Sequence, residues 1–167
     1  DGAGVLQLEV LEGEACTAWV QRGSNRHQWT ALYQTCSWAT AFQSAGYFEC
    51  WTAHYADEWK PVLVVARRDD ALAGLMPLAM RKNLITGVGA HQAEYHGWLC
   101  DDRDGLEFPR LALRRLRRVF LRARVLLRYL PPRIPTQVVE ALAKQNPLIA
   151  LRSQQCPYMD VDKAAIE

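Results

Sequence analysis

Gln7-Leu8-Glu9-Val10-Leu11 alternates polar and apolar side chains with the period of two that a half-buried strand requires, and it predicts the first strand. The period then changes. Trp29, Leu32, Tyr33 and Cys36 stand at i, i+3, i+4 and i+7, one face of a helix, with Ser24 and Asn25 upstream as candidate N-caps. Ser44 is placed to cap a second helix, whose Tyr47, Phe48, Trp51 and Tyr55 form an aromatic stripe at helical spacing that reads as core. Val62 to Arg67 is apolar and β-branched, Asp69-Asp70 supplies turn chemistry, and Leu72 to Met80 returns, so a hairpin is expected. Pro77 has no N–H to give to a ladder, which predicts an edge or a bulge at that point.

Downstream, Gly87-Val88-Gly89 leads into His91 to Leu99, read as a fourth strand with mixed faces. After the acidic turn Asp101, Asp102, Asp104, a helix is expected from about Phe108 to Leu121, with Leu113, Leu116 and Phe120 on its apolar face. Carboxylates at its start and arginines further along suit the helix dipole. Arg124 to Leu130 is predicted as the fifth strand, ended by Pro131-Pro132, and Pro135 opens a helix carrying Val138, Val139 and Leu142 toward Asn146-Pro147. A last strand is expected from Leu148 to Ser153, extended through Cys156 to Val161. The predicted order is βααβββαβαβ, a mixed α/β fold whose central mixed sheet carries helices on both faces.

Composition bounds this picture. With 50% hydrophobic and 23% charged residues, 167 residues make one domain, 1–167, with a substantial core. No apolar run approaches the about 18 residues that cross a bilayer, so no membrane span is expected. The N-terminal segment lacks the basic, apolar, small-residue order of a signal peptide, and a cytoplasmic chain is expected. Cys16, Cys36, Cys50, Cys100 and Cys156 are odd in number and irregularly spaced, which reads as free thiols. The nearest approach to a metal-ligand cluster is His91, Glu94, His96 and Cys100. On a strand His91 and His96 fall on opposite faces, and no metal is expected.

Charge is segregated. The chain carries a net +2, yet nine arginines and no acidic residue lie between Arg110 and Arg133. One reading is a solvated helix face on which Arg110, Arg114, Arg117 and Arg118 lie opposite the leucines. The other is an anion-binding module for phosphate-rich or polyanionic partners, since arginine suits planar, bidentate anion recognition. Nucleic acid is disfavoured as the partner, because the aromatic residues sit mainly in the amphipathic helices rather than among the arginines. No Gly-x-Ser-x-Gly elbow or other nucleophile motif is present to suggest a hydrolase.

Several of these features fall in a known order. Trp29 with Leu32, Phe42-Gln43-Ser44, Trp51, the hairpin ending Gly74-Leu75-Met76-Pro77-Leu78, Glu94-Tyr95 and late Cys156-Pro157 run as they do in cellulose-biosynthesis-type acetyltransferases. From Val10 to Val161 the chain thus resembles the N-terminal half of these members of the GNAT superfamily, and the family's second unit of that kind is expected to be missing after about residue 160. The resemblance implies an acyl-CoA N-acyltransferase fold. It also implies a diphosphate site on backbone N–H groups at the start of the helix after the fourth strand, reached through a loop Gln/Arg-x-x-Gly-x-Gly/Ala. At that place stands Cys100-Asp101-Asp102-Arg103-Asp104-Gly105-Leu106-Glu107, where Arg103 and Gly105 are the candidate cofactor-binding residues among four carboxylates. Such a turn repels a diphosphate, so the expectation is a unit degenerate in acetyl-CoA binding that serves as a structural or substrate-binding half.

The alternative is an active acetyl-CoA-dependent N-acyltransferase. Glu94 or His96 would be its base, and Tyr95 or Tyr129 would return a proton to the thiolate. Its acceptor would be a small molecule or a polysaccharide-related compound. A second GNAT-like domain or a homodimer is the expected protein partner.

Overall fold

A computed structural model describes residues 4–145, and the predicted last strand, Leu148 to Ser153 with its extension to Val161, lies outside the described residues. In chain order the elements are β1 (Gln7–Glu12), α1 (Glu14–Gln21), α2 (Gly23–Thr35), α3 (Ala45–His54), β2 (Lys60–Arg68), β3 (Ala71–Arg81), β4 (Leu84–Gly87), β5 (Leu99–Cys100), α4 (Glu107–Val119), β6 (Arg124–Leu126) and α5 (Gln137–Gln145). Single 3-10 turns precede α3 (Ala41–Gln43) and α4 (Asp102–Asp104). The fold is mixed α/β, and its sheet is mixed in direction. β1 to β4 are antiparallel neighbours in sequence order, β6 joins β4 in parallel, and β5 pairs with β3.

The hairpin is the centre of the core. Val62 to Ala66 and Ala73 to Ala79 are buried without a break. Successive strand residues point to opposite faces, so an unbroken buried run means that both faces of β2 and β3 are covered. Asp69 and Asp70 both take positive φ, 49° and 65°, between the paired Arg68 and Ala71, which makes a two-residue turn of type I′. Aspartate tolerates that left-handed backbone better than most residues.

Gly74 is the residue on which α4 docks. A Cβ there would lie 2.5 Å from the Phe108 ring, so only glycine lets the helix approach so closely. Phe108, Ala112 and Leu116, at i, i+4 and i+8, are the buried stripe of α4, together with Pro109. Leu113, expected on that face, is only half-buried, because the stripe is set by Phe108 over Gly74 and lies one position away.

The expected fourth strand over His91–Leu99 is not formed. Residues 88–98 are an excursion, and the strand is split around it: β4 pairs Gly87 with Leu78 and Leu84 with Arg81, whereas β5 pairs Leu99 with Leu75 and Cys100 with Gly74. Both halves lie along the same side of β3. The break coincides with Pro77, whose carbonyl accepts from Val88 N at 3.2 Å but whose nitrogen has no hydrogen to return. Gly87 is the last residue of β4 rather than part of a preceding turn. Two further elements differ from expectation: α1 appears between β1 and α2, and the fifth strand is confined to Arg124–Leu126.

Candidate functional site

The excursion over residues 88–98 carries most of the residues picked out for acid–base chemistry, and it is held by two buried polar side chains. Gln43 is the first. Its Oε1 accepts from Thr40 N (3.0 Å) and Thr40 Oγ1 (2.8 Å), its Nε2 donates to Tyr95 O (3.2 Å), and its own carbonyl accepts from Trp29 Nε1 (2.9 Å). One glutamine therefore ties α2, the entry to α3 and the excursion together. Ser44, the next residue, caps α3 by accepting from Tyr47 N.

His96 is the second, and it is fully engaged. Its Nδ1 accepts from Arg128 N at 3.0 Å, so the ring proton is on Nε2, which donates to Ala90 O at 2.8 Å. Thr86 Oγ1 lies 3.4 Å from Nδ1, but its hydroxyl donates to Leu126 O at 2.8 Å. The backbone N–H of His96 donates to the carbonyls of Arg128 and Tyr129. Burial pushes the imidazole pKa below its ordinary value; the hydrogen bond to Ala90 opposes this and the Arg128 charge adds to it. His96 is thus a neutral seam between the excursion and the chain beyond β6, packed against Gly87 of β4. Gly87 makes room for it, since a Cβ at 87 would overlap the imidazole ring.

The other candidates are scattered. Glu94 is exposed, while Tyr95 is half-buried with its ring 6.4 Å from that of Phe42. Tyr129 is 42% exposed and sits at φ +47°, with only its carbonyl turned to the His96 amide. The structure does not gather Glu94, His96 and Tyr129 into one acid–base group. His91 is exposed and Cys100 buried, so the suspected cluster is not assembled, and among the described residues no three His, Cys, Asp or Glu side chains group to hold a metal. Burial raises the Cys16 thiol to about 12 and pushes Cys36 and Cys100 upward as well, so these three are protonated packing residues.

The turn before α4 is organised around Asp104. Its carboxylate is buried and takes two hydrogen bonds from Arg68, Nη1 to Oδ2 at 2.7 Å and Nη2 to Oδ1 at 2.8 Å. Arg68 Nε donates to Gly4 O, and the carboxylate raises the guanidinium pKa. Arg103 is exposed and lies 3.8 Å from Asp101 and 3.6 Å from Asp104. The N–H groups of Asp104 and Gly105 donate to the carbonyls of Asp101 and Asp102. Gly105 itself is buried beside Pro135 and Trp38. These residues do not fit a diphosphate: the amides of Asp104 and Gly105 are consumed within the turn, and Asp101, Asp102, Asp104 and Glu107 crowd four carboxylates into it.

Arg68, Gln43 and Thr86 are functional in this architecture and were not picked out from the sequence as such. Gln43 had a signal, its place in Phe42-Gln43-Ser44; Arg68 had none, because its partner lies 36 residues away. Arg114, Arg117 and Arg118 are exposed on the side of α4 away from Phe108, and Arg110, half-buried, lies 3.8 Å from Glu107. A shallow cleft of about 470 Å³ opens between α2 and the start of β3, lined by Gln28, Leu32, Thr35, Asp70, Leu72 and Asp101. Compared with family models, curated proteins and solved structures, the chain matches none.

Proposed function

We propose that this chain is a GNAT-like unit, akin to the N-terminal half of cellulose-biosynthesis-type acetyltransferases, whose acyl-CoA site is closed and whose role is structural or substrate-binding. Chemistry then belongs to a second unit. The observation that carries this reading is the His96 seam. In a GNAT enzyme the strands on either side of the cofactor splay apart, whereas here β4 and β6 pair in parallel, and the excursion that follows β4 is joined to the chain after β6 through the imidazole and backbone of one buried histidine. A general base needs a lone pair aimed at the substrate, and the lone pair of His96 is spent on Arg128 N–H. The Arg68–Asp104 pair supports the same reading at the turn before α4, where the resemblance would put the diphosphate.

The active N-acyltransferase is the competing reading, and ligand-induced stabilisation separates the two. A ligand present at a hundredfold its Kd stabilises a protein by about 2.7 kcal/mol. Millimolar acetyl-CoA is expected to leave the melting temperature unchanged. A dose-dependent rise in melting temperature would return Glu94 and the tyrosines to consideration as catalytic groups.

A further inference from the structure

The turn that follows α4 combines protruding apolar side chains with a dense positive collar. Phe120 N donates to Leu116 O at 2.8 Å and ends the helix; Ala123 N donates to Phe120 O at 3.1 Å and closes a tight turn whose tip is Leu121-Arg122. Arg124 N donates to Asn83 O at 2.8 Å, which fixes the far side of the turn to the sheet. Leu121 is 84% exposed at this tip. Among the described residues, five of the seven exposed large apolar side chains, Val119, Leu121, Val125, Leu126 and Tyr129, lie within this one stretch.

Arg117, Arg118, Arg122 and Arg124 flank the tip, with Arg114 and Arg115 one turn earlier on α4, and all six are exposed. No ion pair among the described residues engages any of them. A merely solvated face would not need a leucine at its most exposed point, and a nucleic-acid surface would present stacking aromatics, of which Tyr129 is the single exposed example here. An anionic bilayer meets both halves of the pattern: arginines pair with lipid phosphates while short apolar side chains enter the acyl boundary.

We propose that the Leu121-Arg122 turn is a peripheral docking tip for an anionic lipid bilayer, with Leu121 inserting and the surrounding arginines binding headgroups. The turn is anchored by hydrogen bonds on both sides, so it meets the surface already formed. The proposal is independent of whether the acyl-CoA site is closed.

Flotation of the full chain with vesicles of equal parts phosphatidylcholine and phosphatidylserine tests this, against pure phosphatidylcholine. Binding to the anionic vesicles alone, weakening as salt is raised, is expected. Arg117→Gln with Arg118→Gln is expected to weaken it about 25-fold, at about fivefold per arginine. Leu121→Asp is expected to release the chain, with an unchanged circular dichroism spectrum because the residue packs on almost nothing. Failure to float with anionic vesicles at low salt overturns the proposal, as does Leu121→Asp binding like the parent. Duplex DNA bound equally by parent and Leu121→Asp, with vesicles ignored, would replace the bilayer by a polyanion.

Discussion

Replacing Asp104 with asparagine keeps the shape of the side chain and removes one charge from a pair that is almost out of water. The Arg68 and Asp104 side chains are 10% and 3% exposed, and two hydrogen bonds of 2.7 and 2.8 Å join them. Arg68 is also held by Gly4 O at 2.7 Å, so in the variant its guanidinium stays in place and faces a neutral amide. Removing one partner of a buried ion pair costs about 3–5 kcal/mol, because the remaining charge is left without compensation. The contact with Arg103 adds little, since that side chain is exposed and screened. Urea unfolding followed by circular dichroism should show a loss of about 3–5 kcal/mol. For a chain of this size that is a fall in melting temperature of roughly 6–20 °C. Arg68→Met combined with Asp104→Leu should cost less than Asp104→Asn alone, because no charge is stranded. A loss below about 1 kcal/mol for Asp104→Asn, the value of an exposed pair, would mean that the Arg68–Asp104 pair is solvated rather than buried.

Trp51 is buried on α3 against Tyr55 and Trp59, so Trp51→Ala should cost about 3–5 kcal/mol, read as a lower melting temperature. Gly74→Ala places a methyl group against the Phe108 ring and should cost about 1–3 kcal/mol, with Phe108→Ala in the same background recovering part of the strain; equal stability of Gly74→Ala and the parent would contradict the docking of α4. His96 has a lowered pKa in the folded state, so below about pH 6.5 the unfolded chain takes up a proton that the native chain does not. Stability should therefore fall as pH drops through that value, and the fall should be shallower in His96→Gln; identical pH profiles would count against a neutral buried imidazole. Arg114→Ala should change stability by no more than about 0.5 kcal/mol.

The parts of the fold that could be read from the sequence are those whose pattern is local. The hairpin announced itself through two apolar runs around Asp69-Asp70, and the stripe Tyr47, Phe48, Trp51, Tyr55 marked α3. The Gly-x-x-Pro-Leu strand gains a physical meaning from the structure: Gly74 admits Phe108, and Pro77 marks where the neighbouring strand leaves the ladder. By contrast α1 is eight residues long and separated from α2 by Arg22 alone, although Cys16, Trp19 and Val20 do stand at helical spacing. The split strand was hidden because β4 has four residues and β5 two, both too short for a period to register. For the candidate site, Glu94 and His96 differ by two residues, which on a strand would share a face. In the excursion one is exposed and the other buried, a separation set by the partners Ala90 and Arg128. Residue type identified His96 as important; only its long-range hydrogen bonds make it a seam rather than a base.

Calorimetric titration of the chain with acetyl-CoA reads whether the acyl-CoA site is closed. With the His96 ring spent on Arg128 and Ala90 and Asp104 on Arg68, no saturable heat is expected up to millimolar ligand. A single-site isotherm with a micromolar dissociation constant would contradict it.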